Sequence, residues 1–230
     1  MTANSEVLEA PHRPRHSVLR SAAKRVWESG HIFLIVTVVN AGIQALLILP
    51  KPIYGVNTAL FVTLGIVSYC VLLGALTLIM GAALTSGKGP HTFRRALERM
   101  RPHLLRFLIT TTLWVVVVII ALLFWTLPGF ILLAITPYVI LAAADGSDHP
   151  VRANFHAIRY RFGRYLSVLL VTIVMLGVMF LGATATTFFI DGAPAAFLTW
   201  LYLGFVGSWL ITGWALLWRS AQMAQTPPGT

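Results

Sequence analysis

From Leu104 to Ala144 the chain carries a single charged residue, Arg106. A helix or strand half-exposed to water needs polar residues recurring at its own period. A run this long without them belongs in a bilayer. Roughly 20 apolar residues cross the ~30 Å hydrocarbon layer, so this stretch is long enough to cross twice. Its interruption is Pro128-Gly129, a helix-stopping pair that predicts a tight turn between two spans.

The same ruler applied to the rest predicts an all-α, polytopic membrane protein. It has six transmembrane helices, near 31–49, 55–85, 104–127, 129–144, 165–190 and 195–218. Residues 1–30 then form an N-terminal segment and 219–230 a tail. Composition agrees: 57% of residues are hydrophobic, 10% are charged, and the mean hydropathy is +0.81. Soluble domains carry about 25% charged residues. The first apolar run, HIFLIVTVVNAGIQALLILP, has the length of a full span and reads as a retained helix, not a cleaved signal.

The net charge of +10 would suggest nucleic acid in a soluble protein. Beside apolar spans it has another reading, the enrichment of Lys and Arg on the cytoplasmic side. With six spans and both termini on one side, sixteen of the seventeen Lys and Arg share that side, and only Lys51 lies opposite. Counting 104–144 as one span would put Arg152, Arg159, Arg161 and Arg164 outside. The hairpin is therefore the predicted arrangement, in a plasma membrane with cytoplasmic termini and no nucleic-acid partner.

Three basic stretches have helical periodicity. In SVLRSAAKRVWESG, Val18, Leu19, Ala22, Ala23 and Val26 form an apolar stripe. In HTFRRALERMRPHLLRF the stripe is Phe93, Ala96, Leu97, Met100, Leu104 and Phe107, with a bend at Pro102. In HPVRANFHAIRYRFGRYL it is Val151, Phe155, Ile158, Phe162 and Tyr165, with Pro150 in the first turn and Ser147 or Asp148 as its cap. Such helices lie in the membrane interface and direct arginines to anionic headgroups. Arg94, Arg95, Arg99, Arg152, Arg159 and Arg164 are accordingly the predicted lipid or partner contacts. At an offset of 61 residues the second and third stretches align as a weak internal repeat, with Ala96-Leu97 meeting Ala157-Ile158 and Leu105 meeting Leu166.

Catalytic chemistry finds little support. The carboxylates Glu6, Glu9, Glu28, Glu98, Asp145, Asp148 and Asp191 all fall outside the predicted spans, which disfavours a proton-coupled pump. Asp145 and Asp148 read as a cap and an ion pair to the following arginines. His12, His16, His31, His91, His103, His149 and His156 have no spacing that converges three or four ligands. The lone Cys70 permits neither an internal disulfide nor a cysteine zinc site. No G-x-S-x-G, H-E-x-x-H or phosphate loop occurs. No catalytic residue, cofactor or metal is expected. Inside the spans, Asn40 and Gln44 share a face and suit interhelical hydrogen bonds. Gly204, Ser208 and Thr212 make a small-residue ridge for close helix approach. Of the tryptophans, Trp27 and Trp218 fit the inner belt, Trp125 and Trp200 the outer belt, and Trp114, Trp209 and Trp214 the bundle.

The segment LPGFILLAITPYVILAAADG followed by AIRYRFGRYL resembles the membrane domain attached to some bacterial glycerophosphoryl diester phosphodiesterases, and its stand-alone relatives. Pro128, Gly129, Asp145, Gly146, Ala157 and Gly163 carry the likeness, which spans residues 125–170. The resemblance implies a helical membrane module; no segment has room for the phosphodiesterase domain, so no catalytic residue carries over. The expected role is a non-enzymatic bacterial plasma-membrane subunit with a protein partner or oligomer in the membrane. The alternative is a permease-like component docking a separate ATPase through the helices at 91–107 and 150–164.

Overall fold

The computed structural model describes residues 18–48, 58–85 and 92–223. The predicted segment ahead of Val18, the loop containing Lys51, residues 86–91 and the tail beyond Met223 lie outside them. All regular structure among the described residues is helical: α1 (Val18–Glu28), α2 (Gly30–Leu47), α3 (Thr58–Leu84), α4 (Phe93–Met100), α5 (Leu104–Phe124), α6 (Thr126–Ile135), α7 (Val139–Ala144), α8 (Pro150–Tyr160), α9 (Phe162–Phe189) and α10 (Gly192–Met223).

Five helical stretches are long and apolar enough to cross a membrane: Gly30–Leu47, Val62–Leu84, Phe93–Phe124, Phe162–Phe189 and Gly192–Met223. Their outer surfaces are apolar too. Leu123 is 80% exposed, Phe124 88%, Phe180 72% and Leu170 62%. Water would drive such a surface to aggregate; hydrocarbon is the solvent that suits it. This is a membrane protein.

α2 has one buried stripe, Ile32, Phe33, Val36, Thr37, Asn40, Ala41, Gln44 and Ala45, while Leu34, Ile35, Val38 and Val39 face outward. The stripe packs most extensively on α10. The close approach is at Gly204, where an added Cβ would stand 2.4 Å from the Thr37 methyl. Ser208 and Thr212 are buried along the same helix, so the small-residue ridge serves contacts within the chain.

α4 joins α5 directly through His103, which stands at φ −114°, ψ 4°. One tight 3-10 turn, Arg101–His103, carries Pro102, where a bend was expected. α4 is seated on α3: a Cβ at Gly81 would lie 2.3 Å from the Ala96 carbonyl oxygen. Ala96, Met100 and Phe107 are buried, whereas Leu97 is half exposed. In α8 the buried residues are Asn154 and Ala157. Val151, Phe155 and Phe162 of the predicted stripe face outward, while Tyr165 is buried. Ala96 and Ala157, aligned by the internal repeat, are thus both buried anchors.

The stretch 129–144, predicted as one span, is not one continuous helix. It is two short helices, α6 and α7, broken at Thr136-Pro137-Tyr138. Thr136 sits at φ −122°, ψ 33°, outside the helical well, as expected for a residue preceding proline. The turn between α5 and α6 is also displaced from its predicted place. Trp125 makes it, with an extended backbone at φ −167°, ψ 135°. Pro128 falls in the first turn of α6, where a missing N–H costs nothing. Gly129 allows the two arms of the hairpin to touch, since a Cβ there would meet Leu122 at 2.3 Å.

Candidate functional site

Breaking a helix frees backbone groups that, when buried, must find other partners. At the α6–α7 break, side chains satisfy them. Asn154 of α8, fully buried, donates its amide to the Ile135 carbonyl at 2.8 Å. Its carbonyl oxygen accepts the Tyr138 N–H at 2.9 Å. The Tyr165 hydroxyl donates to the Ala134 carbonyl. Thr136 donates back to the Leu132 carbonyl at 2.6 Å and accepts the Trp114 indole N–H at 2.9 Å. Four helices, α5 to α8, and the start of α9 therefore meet at one break.

Aromatic rings close this region. Tyr138 lies 5.4 Å from Trp214 in an edge-on pair and 5.7 Å from Trp218, and Tyr165 lies 5.7 Å from Trp214. Each such pair adds about 0.5–1.5 kcal/mol beyond its buried area. The Trp214 indole donates to Thr172 of α9 at 3.1 Å, and Trp209 donates to the Leu19 carbonyl of α1 at 3.1 Å. The expectation that Trp114, Trp209 and Trp214 pack within the bundle therefore agrees with the structure. Trp218 does not join an interfacial belt; it is 1% exposed. Trp27, at 88%, is open.

A second cluster ties the basic stretches together. Arg99 pairs with Asp145 at 2.5 Å, whose other oxygen accepts the Trp218 indole N–H at 3.2 Å. Arg106 pairs with Asp148 at 2.7 Å and donates to the Gly146 carbonyl at 2.9 Å. The carboxylates thus serve the arginines of the preceding basic loop and not, as expected, those that follow. Nor does Ser147 or Asp148 cap α8. His149 holds that position with no side-chain cap, although Pro150 does occupy the first turn. Gly146 stands at φ +90°, a left-handed conformation that favours glycine, and a Cβ there would strike the His103 ring. From α1, Arg25 donates to the Thr85 carbonyl at the end of α3. Burial pulls the Arg25 guanidinium below the usual arginine range, and Glu28 opposes that shift.

These contacts bring residues 145–148 back to the end of the bundle where α5 begins. Arg94, Arg95, Arg152, Arg159 and Arg164 are exposed; of these, Arg94 pairs with Glu98 at 2.7 Å. Arg152 borders a polar hollow with His149 and His156. Among the described residues no group of three His, Cys, Asp or Glu converges to hold a metal. Gln44 meets its expectation, exchanging hydrogen bonds with Ser68 of α3: its carbonyl accepts the hydroxyl at 2.7 Å and its amide donates to the backbone at 3.3 Å. The Asn40 carbonyl oxygen is buried with no partner among the described residues.

The chain matches no family model, no curated protein and no solved structure. The sequence assigned no contact to Asn154, Arg25 or Arg106, and placed Tyr165 only in an apolar stripe. Asn154 had a signal: it lies three residues after Val151 and four before Ile158, on the helix side taken as apolar. Here that amide faces a proline-broken helix and is used on its backbone.

Proposed function

We propose that the chain is a six-span bacterial plasma-membrane protein with cytoplasmic termini, acting without catalysis as a partner or assembly subunit of a membrane complex. The fourth crossing in this reading is the broken arm α6–α7. One observation carries it: α4 and α8 are anchored by buried alanines and by Asn154, while Arg94, Arg95, Arg152, Arg159 and Arg164 remain exposed beside them. Rigid helices with outward guanidinium groups suit anionic headgroups or an acidic protein surface. The resemblance to phosphodiesterase-linked membrane domains fits a module that serves other proteins.

Purification in mild detergent with identification of stoichiometric companions tests this. An envelope, secretion or respiratory complex is expected, and it should be lost from a variant with Arg94, Arg152 and Arg159 changed to Gln. Recovery of the chain alone from cross-linked membranes sinks the proposal. For orientation, a membrane-impermeant thiol reagent on intact cells should label Lys51→Cys and spare Arg159→Cys in a Cys70→Ala background. The reverse pattern overturns the topology.

A second reading has its own support. Asn154 couples α8 directly to the helix break, so displacement of α8 by a cytoplasmic protein reaches the membrane interior. That arrangement suits a permease subunit driven by a separate ATPase, and co-purification of an ATPase selects it.

A further inference from the structure

One side of α8 carries three nitrogen-bearing side chains in a row. His149, Arg152 and His156 line a single hollow of about 440 Å³, whose wall is completed by Ser147, Asp148 and Ala153. Spacings of three and four residues place them on one helix side, away from Asn154 and Ala157, which are buried. All three are exposed. Their side chains make no hydrogen bond or ion pair among the described residues. The acid in the wall, Asp148, pairs with Arg106 at 2.7 Å, which offsets its charge.

A hollow of this make-up receives an anion. The planar fork of Arg152 suits two phosphoryl oxygens, and each imidazole brings at least one N–H donor. A cation is disfavoured. Among the described residues no three His, Cys, Asp or Glu converge on one, and the guanidinium would repel it. α8 also begins here with no side-chain cap on its first turn, so the positive end of the helix adds to the same field.

Shape narrows the ligand. Seven residues at about 1.5 Å each spread the two histidines over about 10 Å, so an extended headgroup suits the row better than a compact ion. Next to the row around α8 lies an apolar strip, Val151 and Phe155, each half exposed. α8 leads through Arg161 into α9, a helix of spanning length. The matching ligand is therefore amphiphilic, with phosphate at Arg152, further headgroup atoms along the histidines and acyl chain over the strip.

We infer that the hollow lined by His149, Arg152 and His156 binds the phosphoryl headgroup of an anionic membrane lipid. Such a site deepens the proposal that the exposed arginines of α8 face headgroups, and rests on it. It replaces a diffuse attraction with one place and two further residues.

The test uses the full chain in nanodiscs of phosphatidylcholine with a minor share of phosphatidylglycerol. Native mass spectrometry counts the phosphatidylglycerol retained, and thermal unfolding reads its stabilising effect. The proteins compared are wild type, R152Q, H149A/H156A, D148N and R94Q. Wild type should retain phosphatidylglycerol and unfold at a higher temperature with it. R152Q should lose about tenfold or more of that retention, and H149A/H156A about fivefold. D148N should retain more than wild type, because the acid opposes the ligand. R94Q removes the same charge from α4 and should behave as wild type. Equal retention by R152Q and wild type overturns the site. Equal losses in R152Q and R94Q also overturn it, while leaving general headgroup attraction standing. If wild type shows no preference for phosphatidylglycerol, both the site and the attraction fail. Stabilisation by inorganic phosphate in pure phosphatidylcholine, abolished in R152Q and without any lipid effect, overturns the lipid in favour of a soluble phosphate. Loss of a protein partner in R152Q with lipid retention unchanged overturns it in favour of an acidic protein surface.

Discussion

Substituting Asn154 with Ala tests the pinned helix break most directly. The residue is fully buried, and its amide holds two backbone groups, the Ile135 carbonyl and the Tyr138 N–H. Alanine removes both partners and leaves a small void that water reaches poorly. A buried polar group stripped of its partner costs about 1–3 kcal/mol, so two cost about 2–6 kcal/mol. Averaged hydrogen bonds between membrane helices are weaker, near 0.6 kcal/mol. That average concerns side chains that find other partners in the unfolded bilayer state; proline-freed backbone at 135 and 138 has no helical alternative. We expect N154A to shift the unfolding equilibrium by at least about 2 kcal/mol, roughly 30-fold, measured by thermal or steric-trap unfolding in bicelles. The neighbouring F155A, which trims an outward ring, should stay within about 0.5 kcal/mol. Amide exchange at Tyr138 should accelerate in N154A alone. An N154A variant as stable as F155A, with Tyr138 still protected, refutes the role given to this amide.

Other perturbations separate close approach from open space. G81A should destabilise, since its methyl would collide with the Ala96 backbone, whereas G207A, with nothing within 4 Å, should gain about 0.5–1 kcal/mol by unfolding assay. Q44L should lose about 1 kcal/mol through the Ser68 pair, while N40L, removing an unpartnered oxygen, should be neutral or stabilising in the same measurement. D145N should destabilise by releasing Arg99 among its neighbours. Adding R219Q should restore part of that loss, a coupling visible in a double-mutant cycle.

Apolar length and periodicity made the long helices legible, because burial on one helix side is written as residue spacing. The α2 stripe follows the 3.6 period, and the hairpin within 104–144 followed from charge. The location of each break did not, because a proline marks a helix limit without saying which side of it the helix lies. Pro128 opens α6, whereas Pro137 follows its end, and only the packing of Gly129 against Leu122 distinguishes their roles. Partners of charged groups were equally hidden. Asp145 lies beside four arginines in sequence, yet pairs with Arg99, 46 residues earlier, because the hairpin returns it to that place. Arginine density did not tell which guanidinium groups turn outward and which, like Arg25, turn in.

The hydrogen bond from Trp209 to the Leu19 carbonyl spans 190 residues of sequence. α1 leaves the ribosome well before α10, the helix that receives it. At about 5–20 residues per second, roughly 10 to 40 s separate the two. During that interval the Ala22 side of α1 has no α10 to rest on, and neither Trp209 nor the Gly213 surface exists to receive it. The α1 end of the bundle therefore stays open until α10 has been made. A chaperone or insertase that shelters a basic, half-apolar helix at the membrane surface would act in that window.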